Sequence, residues 1–334
     1  MPEEEWDKEL LGYQSTNPSE THMNVFPLTL SSPELTLLFN DMDSIWKKRD
    51  QNQAISSFLI QNLENELGKD TQGEIFTVQN EPVGVYWIKD VSENYGSLTL
   101  HVKNKKYAKN IVEHIIKKKS FYNKQLEIVQ IEETPIFRDF FRELNLTENC
   151  RERMCLWLKE NHYFRHEKLP FELTFYKTHK SYIEEMSELS YRAHQVSKDY
   201  WMFPEMNSLD GRIKMEKRMH DNPEGRLIEE ASLMVFCDSK LIGFINNVGV
   251  KNCWGFKEVP WIFDIVIDPE YAGKGIGKEL LKRSMNILTD LKYPIVGLSV
   301  TKNNYAKRLY KKLGFAHVDD FYEFIEIPKE NKPQ

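Results

Sequence analysis

One stretch limits what this chain can be. Ile262, Phe263, Ile265, Val266 and Ile267 make a short apolar run with the length and β-branching of a buried strand. Asp268-Pro269 closes it, since proline has no amide to give a sheet. Gly273, Gly275 and Gly277 then open an amphipathic helix that carries Leu280, Leu281, Met285 and Leu288 on one face. A glycine costs a helix about 1 kcal/mol against alanine, so three at a helix start point to a role other than helix stability. That role is close approach: a turn without side chains can aim its amides at a phosphate, where the helix dipole also favours an anion. Strand, bare turn and helix together predict an α/β unit with an anion held at the turn.

The glycine spacing is Gly-x-Gly-x-Gly after Pro269-Glu270-Tyr271. It resembles motif A of the GNAT acetyltransferase superfamily, [Arg/Gln]-x-x-Gly-x-[Gly/Ala]. Gly275 and Gly277 stand at the two small-residue positions, and Ala272 replaces the usual Arg or Gln. Further on, Asn303, Ala306, Leu309, Tyr310, Gly314 and Phe315 resemble motif B, Asn-x-x-Ala-x-x-Leu-Tyr-x-x-x-Gly-Phe. The resemblance implies acetyl-CoA as cosubstrate, with Gly273, Lys274, Gly275, Ile276, Gly277 and Lys278 around its pyrophosphate. It also places the strand residues Ile265, Val266 and Ile267 beside the thioester and pantetheine, where an amide of Val266 or Ile267 would polarise the carbonyl. Asn303 falls at the family's pantetheine contact, with Asn304 as the competing choice. Tyr310 falls at the position of the general acid, and a phenol stays protonated at pH 7.

Acetyl transfer to an amine also needs the amine neutral. Asp264, an acid inside an apolar strand, is one candidate base because its charge must be paired or face a cavity. Glu258, Glu229, Glu230 and water are the others. The acceptor is expected against the loop Lys198 to Pro204, where Tyr200, Trp201, Met202 and Phe203 either cap the pocket or pack on the N-terminal half. Trp254 and Trp261 pose the same choice.

The rest of the chain repeats this order of elements. Val78 to Gly84 aligns with Cys237 to Gly243, Tyr107 with Tyr271, and Phe140 to Leu146 with Leu309 to Phe315. The reading is an internal duplication of two tandem GNAT-like domains, each a mixed, mostly antiparallel central sheet flanked by helices. Residues 1–24 form an N-terminal arm, 25–160 a degenerate copy without the cofactor motif, and 168–330 the catalytic copy. The first copy has no glycine after Ala108, so side chains would block a pyrophosphate, and Glu113 would repel it. The lysines 105, 106, 109, 117, 118 and 119 read as a solvated helix face. The predicted strand Met154 to Leu158 ends this copy, and the linker runs near Lys159 to Pro170.

With 334 residues, 40% of them hydrophobic, the chain is long enough for two cores, and no apolar run reaches membrane-spanning length. A net charge of −6 disfavours nucleic acid as partner and suits a cationic substrate. Four cysteines without metal spacing, and histidines without ligand spacing, predict no metal and a reduced cytoplasmic setting. The expected function is an acetyl-CoA-dependent N-acetyltransferase acting on the primary amine of a small molecule by direct attack. A protein N-terminal or lysine acetyltransferase and a non-catalytic acyl-CoA sensor are the alternatives, and an oligomer is possible.

Overall fold

The computed structural model describes residues 22–49, 59–60, 63–64, 66–90, 95–119, 125–130, 135–143, 146–160, 163–197, 206–221 and 226–326. The first half runs β1 (Met23–Pro27), α1 (Pro33–Arg49), β2 (Thr71–Val78), β3 (Glu81–Asp90), β4 (Tyr95–Val102), α2 (Ala108–Lys119), β5 (Gln125–Gln130), α3 (Pro135–Glu143) and β6 (Thr147–Trp157). The second runs β7 (Leu173–Lys177), α4 (Ile183–Gln195), α5 (Leu209–Asp221), β8 (Arg226–Leu227), β9 (Leu233–Cys237), β10 (Lys240–Cys253), β11 (Phe256–Ile267), α6 (Ile276–Asp290), β12 (Ile295–Thr301), α7 (Ala306–Lys312) and β13 (Ala316–Ile325). The N-terminal arm of residues 1–24 lies almost wholly outside the described residues. Among those residues, no helix is long and apolar enough to cross a membrane.

The two halves repeat each other in register as well as in order. The hairpin turns are Gln79-Asn80 and Asp238-Ser239, both with two consecutive positive φ angles, the backbone of a type I′ turn. Gly84 stands opposite Val102, and Gly243 opposite Ile267. A Cβ on Gly243 would lie 2.8 Å from the Val266 carbonyl, and one on Gly84 3.0 Å from that of His101, so the same close approach occurs in both hairpins.

The strands join into one sheet in the order β1-β2-β3-β4-β5-β13-β6-β12-β11-β10-β9-β7, with β8 beside β10. This order exchanges the last strands of the two halves. β13 pairs with β5 of the first half, β6 pairs with β12 of the second, and the two exchanged strands pair antiparallel with each other along most of their length. The cores follow. Met154 and Leu156 of β6 are buried among Val296, Leu298, Leu280 and Leu313, whereas Phe324 of β13 is buried among Phe137, Phe141, Leu98 and Leu100.

The sequence places the final strand of the first half at Met154, but β6 starts at Thr147. Its early residues Asn149, Arg151 and Arg153 are polar because they meet polar partners: Asn149 Nδ2 donates to Glu323 Oε2 (3.1 Å), and Arg153 Nη1 to Asp319 Oδ2 (2.7 Å). Side-chain alternation sorts the helices. α2, α3, α6 and α7 cover one face through residues such as Phe76, Phe324, Ile262 and Leu298, and α1 and α4 cover the other through Ile75, Val85, Phe244 and Val266.

Candidate active site

The decisive difference between the halves lies where a strand meets its parallel neighbour. β4 and β5 stay paired from Tyr95↔Gln125 to Leu100↔Gln130. Among the described residues, β11 and β12 pair at Trp261↔Gly297 and Ile262↔Leu298 and nowhere else. Beyond Ile262 the two strands part, although β11 still pairs with β10 as far as Ile267, and β12 with β6 as far as Thr301. A wedge therefore opens between them, and alternate amides of the 263–267 segment face it rather than a strand.

A β-bulge sits where the wedge begins. Asn246 pairs with Asp264 and Asn247 with Ile262, so Phe263 is the extra residue. Ile262 and Ile265 both pack toward α6 and α7. Phe263 is left exposed, and Asp264 is turned to the face that α4 and α5 cover.

The glycine turn lies beside the wedge. Gly273 and Gly275 have φ of +74° and +87°, which a residue with a Cβ adopts only under strain, and Gly275 is the N-cap of α6. The first helical amide to find a backbone carbonyl is that of Glu279, which donates to Gly275 O. The amides of residues 273–278 make no backbone hydrogen bond among the described residues. A Cβ on Gly277 would sit 3.4 Å from Ile267, ordinary contact, so its lack of a side chain serves the open side of the turn. Bare amides at the N-terminus of a 15-residue helix fit a pyrophosphate. Lys274 Nζ lies 5.1 Å from the Tyr271 ring and 5.5 Å from that of Phe171, near the same turn.

The segment before β7 is laid along α6. Tyr163 OH donates to Asp290 (2.7 Å), and the Phe164 backbone exchanges two hydrogen bonds with the Asn286 side chain (2.8 and 3.0 Å). Glu167 accepts from Lys278 (2.5 Å) and Lys282 (2.7 Å), which hold its carboxyl down to about 2. Leu169 ends this run with its Cδ2 3.1 Å from where a Gly275 Cβ would lie. The sequence marks this region as linker; the structure gives it a position against the glycine turn.

Tyr310 projects from α7 into the core beside Phe315, with ring centroids 5.8 Å apart. Burial, and then the charge of Asp264, push its phenol well above the ordinary range, so it stays protonated. Asn304 Oδ1 accepts from the Ala306 amide (2.8 Å) and so caps the start of α7, while Asn303 is exposed.

Asp264 belongs to a buried polar cluster that sequence reasoning did not find. Ser190 Oγ donates to Asp264 Oδ2 (3.2 Å), and Arg212 Nη1 donates to Ser190 Oγ (3.1 Å) and lies 3.9 Å from the same carboxylate. His194 Nε2 is 3.6 Å from Asp264 Oδ1. Burial opposes the Asp264 charge, but His194, Arg212 and Ser190 together hold the carboxyl below its usual range. A carboxylate so held is a poor proton acceptor. Deeper in, Asn246 Nδ2 donates to Glu216 Oε2 (3.0 Å), while Glu216 Oε1 and Asn246 Oδ1 are buried without partners. Burial and then the Asp264 charge push the Glu216 carboxyl up to about 8. A proton on Oε1 is what lets an acid and an amide satisfy each other there.

The other base candidates stand elsewhere. Glu258 accepts from Tyr293 OH (2.7 Å) near the far end of β11, and Glu229 and Glu230 are exposed in the turn after β8. Trp254 and Trp261 pack on each other (5.3 Å) over Gly297, where a Cβ would lie 2.5 Å from the Trp261 ring. Tyr200, Trp201 and Phe203 lie outside the described residues. Among the described residues, Glu152, His317 and Asp320 are the one trio close enough to share an ion, and lysines already serve its carboxylates: Lys307 pairs with Glu152, and Lys302 with Asp320 (2.9 Å).

The family described as Acetyltransferase (GNAT) matches residues 184–315. The spermidine N(1)-acetyltransferase of Escherichia coli (strain K12) is 32% identical over 119 residues, 35% of this chain. The chain spans 56% of that protein's length. Among solved structures, a GCN5-related N-acetyltransferase from Sphaerobacter thermophilus superposes with a TM-score of 0.62 at 14% identity, over 91% of this chain and 95% of that one. A tandem GNAT protein from the clavulanic acid biosynthesis pathway superposes with a TM-score of 0.55 at 12% identity, over 91% and 98%. At such identities these two likenesses concern the fold alone.

Proposed function

From the match of residues 184–315 to the Acetyltransferase (GNAT) family and the likeness to a named N-acetyltransferase, we propose that the protein transfers the acetyl group of acetyl-CoA to the primary amine of a small molecule by direct attack. The observation that carries this is the wedge between β11 and β12, open beyond Ile262, with the bare amides of 273–278 beside it and the buried Tyr310 nearby. Acetyl-CoA supplies the activated acetyl group. The amides of Gly273 to Lys278 bind its pyrophosphate, Ile265 and Ile267 flank its pantetheine arm, and Asn303 reaches it from the start of α7. A wedge-facing amide near Val266 polarises the thioester carbonyl. Tyr310 donates its hydroxyl proton toward sulfur. Because burial keeps that phenol protonated, it acts by passing a proton on rather than by losing one outright.

The acceptor comes from the other face, past Phe263 and Asp264. The likeness to a protein named for spermidine, and the net charge of −6, support a cationic amine. The paired registers of the two halves support an origin by duplication, with the N-terminal copy as a scaffold whose β4 and β5 have closed the wedge.

The test is release of free CoA thiol from acetyl-CoA with a panel of amines that includes spermidine, amino sugars and a peptide N-terminus. Turnover confined to small amines supports the reading. Turnover with peptides alone gives it to a protein acetyltransferase, and tight CoA binding without turnover to a sensor. Tyr310→Phe is expected to lower kcat by about 10²-fold or more with little change in acetyl-CoA affinity; an unchanged kcat takes Tyr310 out of the mechanism.

A further inference from the structure

An acyl transfer from thioester to amine has a proton problem at each end, and the groups considered so far solve one of them. Tyr310 serves the sulfur. At the nitrogen, Asp264 was the candidate in the sequence, but Ser190, Arg212 and His194 hold it as a stable carboxylate. A carboxylate in that state can still orient a base, and one is placed to use it.

We propose that His194 is the group that takes the proton from the acceptor amine, oriented by Asp264. His194 stands in the last turn of α4. Its side chain is 29% exposed and that of Asp264 11%, so the imidazole bridges a buried charge and the open face. Nε2 faces Asp264 Oδ1 at 3.6 Å, within ion-pair range. Nδ1 is then the free base. An imidazole can accept a proton on one ring nitrogen while it donates from the other, and an acid behind it selects the tautomer, as in Ser-His-Asp sites.

Several described groups surround this pair. From α4 come Ser190, which bonds Asp264, and Arg192, which is drawn off to Asp268 (3.5 Å). From α5 come Arg212 and Glu216, the first bonded to Ser190 and to the Met206 carbonyl (2.7 Å), the second bonded to Asn246 of β10. Tyr310 of α7 packs in the core on the other face of the sheet, among Ile262, Leu309 and Phe315. Arg212 keeps Asp264 ionised, and Glu216, neutral in its acid–amide pair, adds no second negative charge.

The step balances. An alkylammonium acceptor loses two protons as its nitrogen forms the N–C bond and the C–S bond breaks. One goes to His194 Nδ1 and from its exposed edge to water; the other reaches the departing sulfur through Tyr310 and leaves as the CoA thiol.

This inference rests on the acyltransferase reading, so its test includes a readout that needs no turnover. Long-range proton–nitrogen correlation spectra of the ¹⁵N-labelled full chain, with His194 assigned through His194→Gln, are expected to show the Nε2–H tautomer, and Asp264→Asn is expected to move the His194 signals. An Nδ1–H tautomer, or signals indifferent to Asp264→Asn, overturns the proposal. With any amine that turns over, His194→Gln is expected to lower kcat/KM by about 10²-fold or more and to flatten the acid limb of the pH profile while the KM for acetyl-CoA holds. Added imidazole should restore part of the activity of His194→Ala. A variant that keeps the wild-type pH profile overturns it as well. If the wild type consumes no acetyl-CoA with any amine, the acyltransferase reading fails by itself, and the spectra still decide the pair.

Discussion

Glu216 is a carboxyl whose environment can be measured through stability. Folded, it keeps its proton to about pH 8; unfolded, it ionises near its ordinary 4.5. The folded state thus holds a proton that the unfolded state releases between these values, so this group's stabilising contribution is complete below about pH 4.5 and is lost as pH rises toward 8. Glu216→Gln cannot ionise. The melting temperature of the variant minus that of the wild type should therefore grow from pH 5 to pH 8, with a stability difference of a few kcal/mol across the window. Parallel melting curves would mean that Glu216 is charged in the fold. At the turn, Gly275→Ala meets both a φ of +87° and the Leu169 methyl at 3.1 Å. It should cost about 1–2 kcal/mol of stability and weaken acetyl-CoA binding by calorimetry. Unchanged affinity would remove that position from the cradle.

At the scale of elements, local pattern was a good guide where one segment decides its own geometry. Ile262 to Ile267 and the three glycines announced a strand, a bare turn and a helix because β-branching, proline and glycine act within a few residues. What stayed hidden depends on partners far along the chain. Arg212 and Glu216 look like ordinary polar helix residues, yet both are buried, because Asp264 and Asn246 wait opposite them. His194 has no ligand spacing to betray it; only the fold brings it to Asp264. The bulge at Phe263 also needs a partner strand to exist.

The segment before β7 shows what such hidden placement does. Glu167 neutralises Lys278 in the first turn of α6, the turn that a phosphate would also address. Glu167→Gln frees that lysine, and CoA affinity measured by calorimetry should rise a few-fold at low salt, with the gain shrinking as salt is added. An affinity that does not change places Lys278 outside the reach of the cofactor.

For the whole molecule, the exchange of β6 and β13 makes each half depend on the other. A chain that begins after residue 160 lacks β6, leaves the β12 edge unpaired, and removes Met154 and Leu156 from beside Leu280, Leu298 and Leu313. It should be aggregated or unfolded by gel filtration and circular dichroism, whatever cofactor is added. A monomeric, cooperatively melting fragment would show that the exchange is dispensable.

The same exchange sets a timetable for the newborn polypeptide. β5 leaves the ribosome with one flank bare, and the strand that shields it, β13, is translated after every other strand described. The first half must therefore wait, partly assembled, until β13 is made, and a ribosome stalled before residue 316 is added would hold out a sticky ribbon edge that chaperones should recognise.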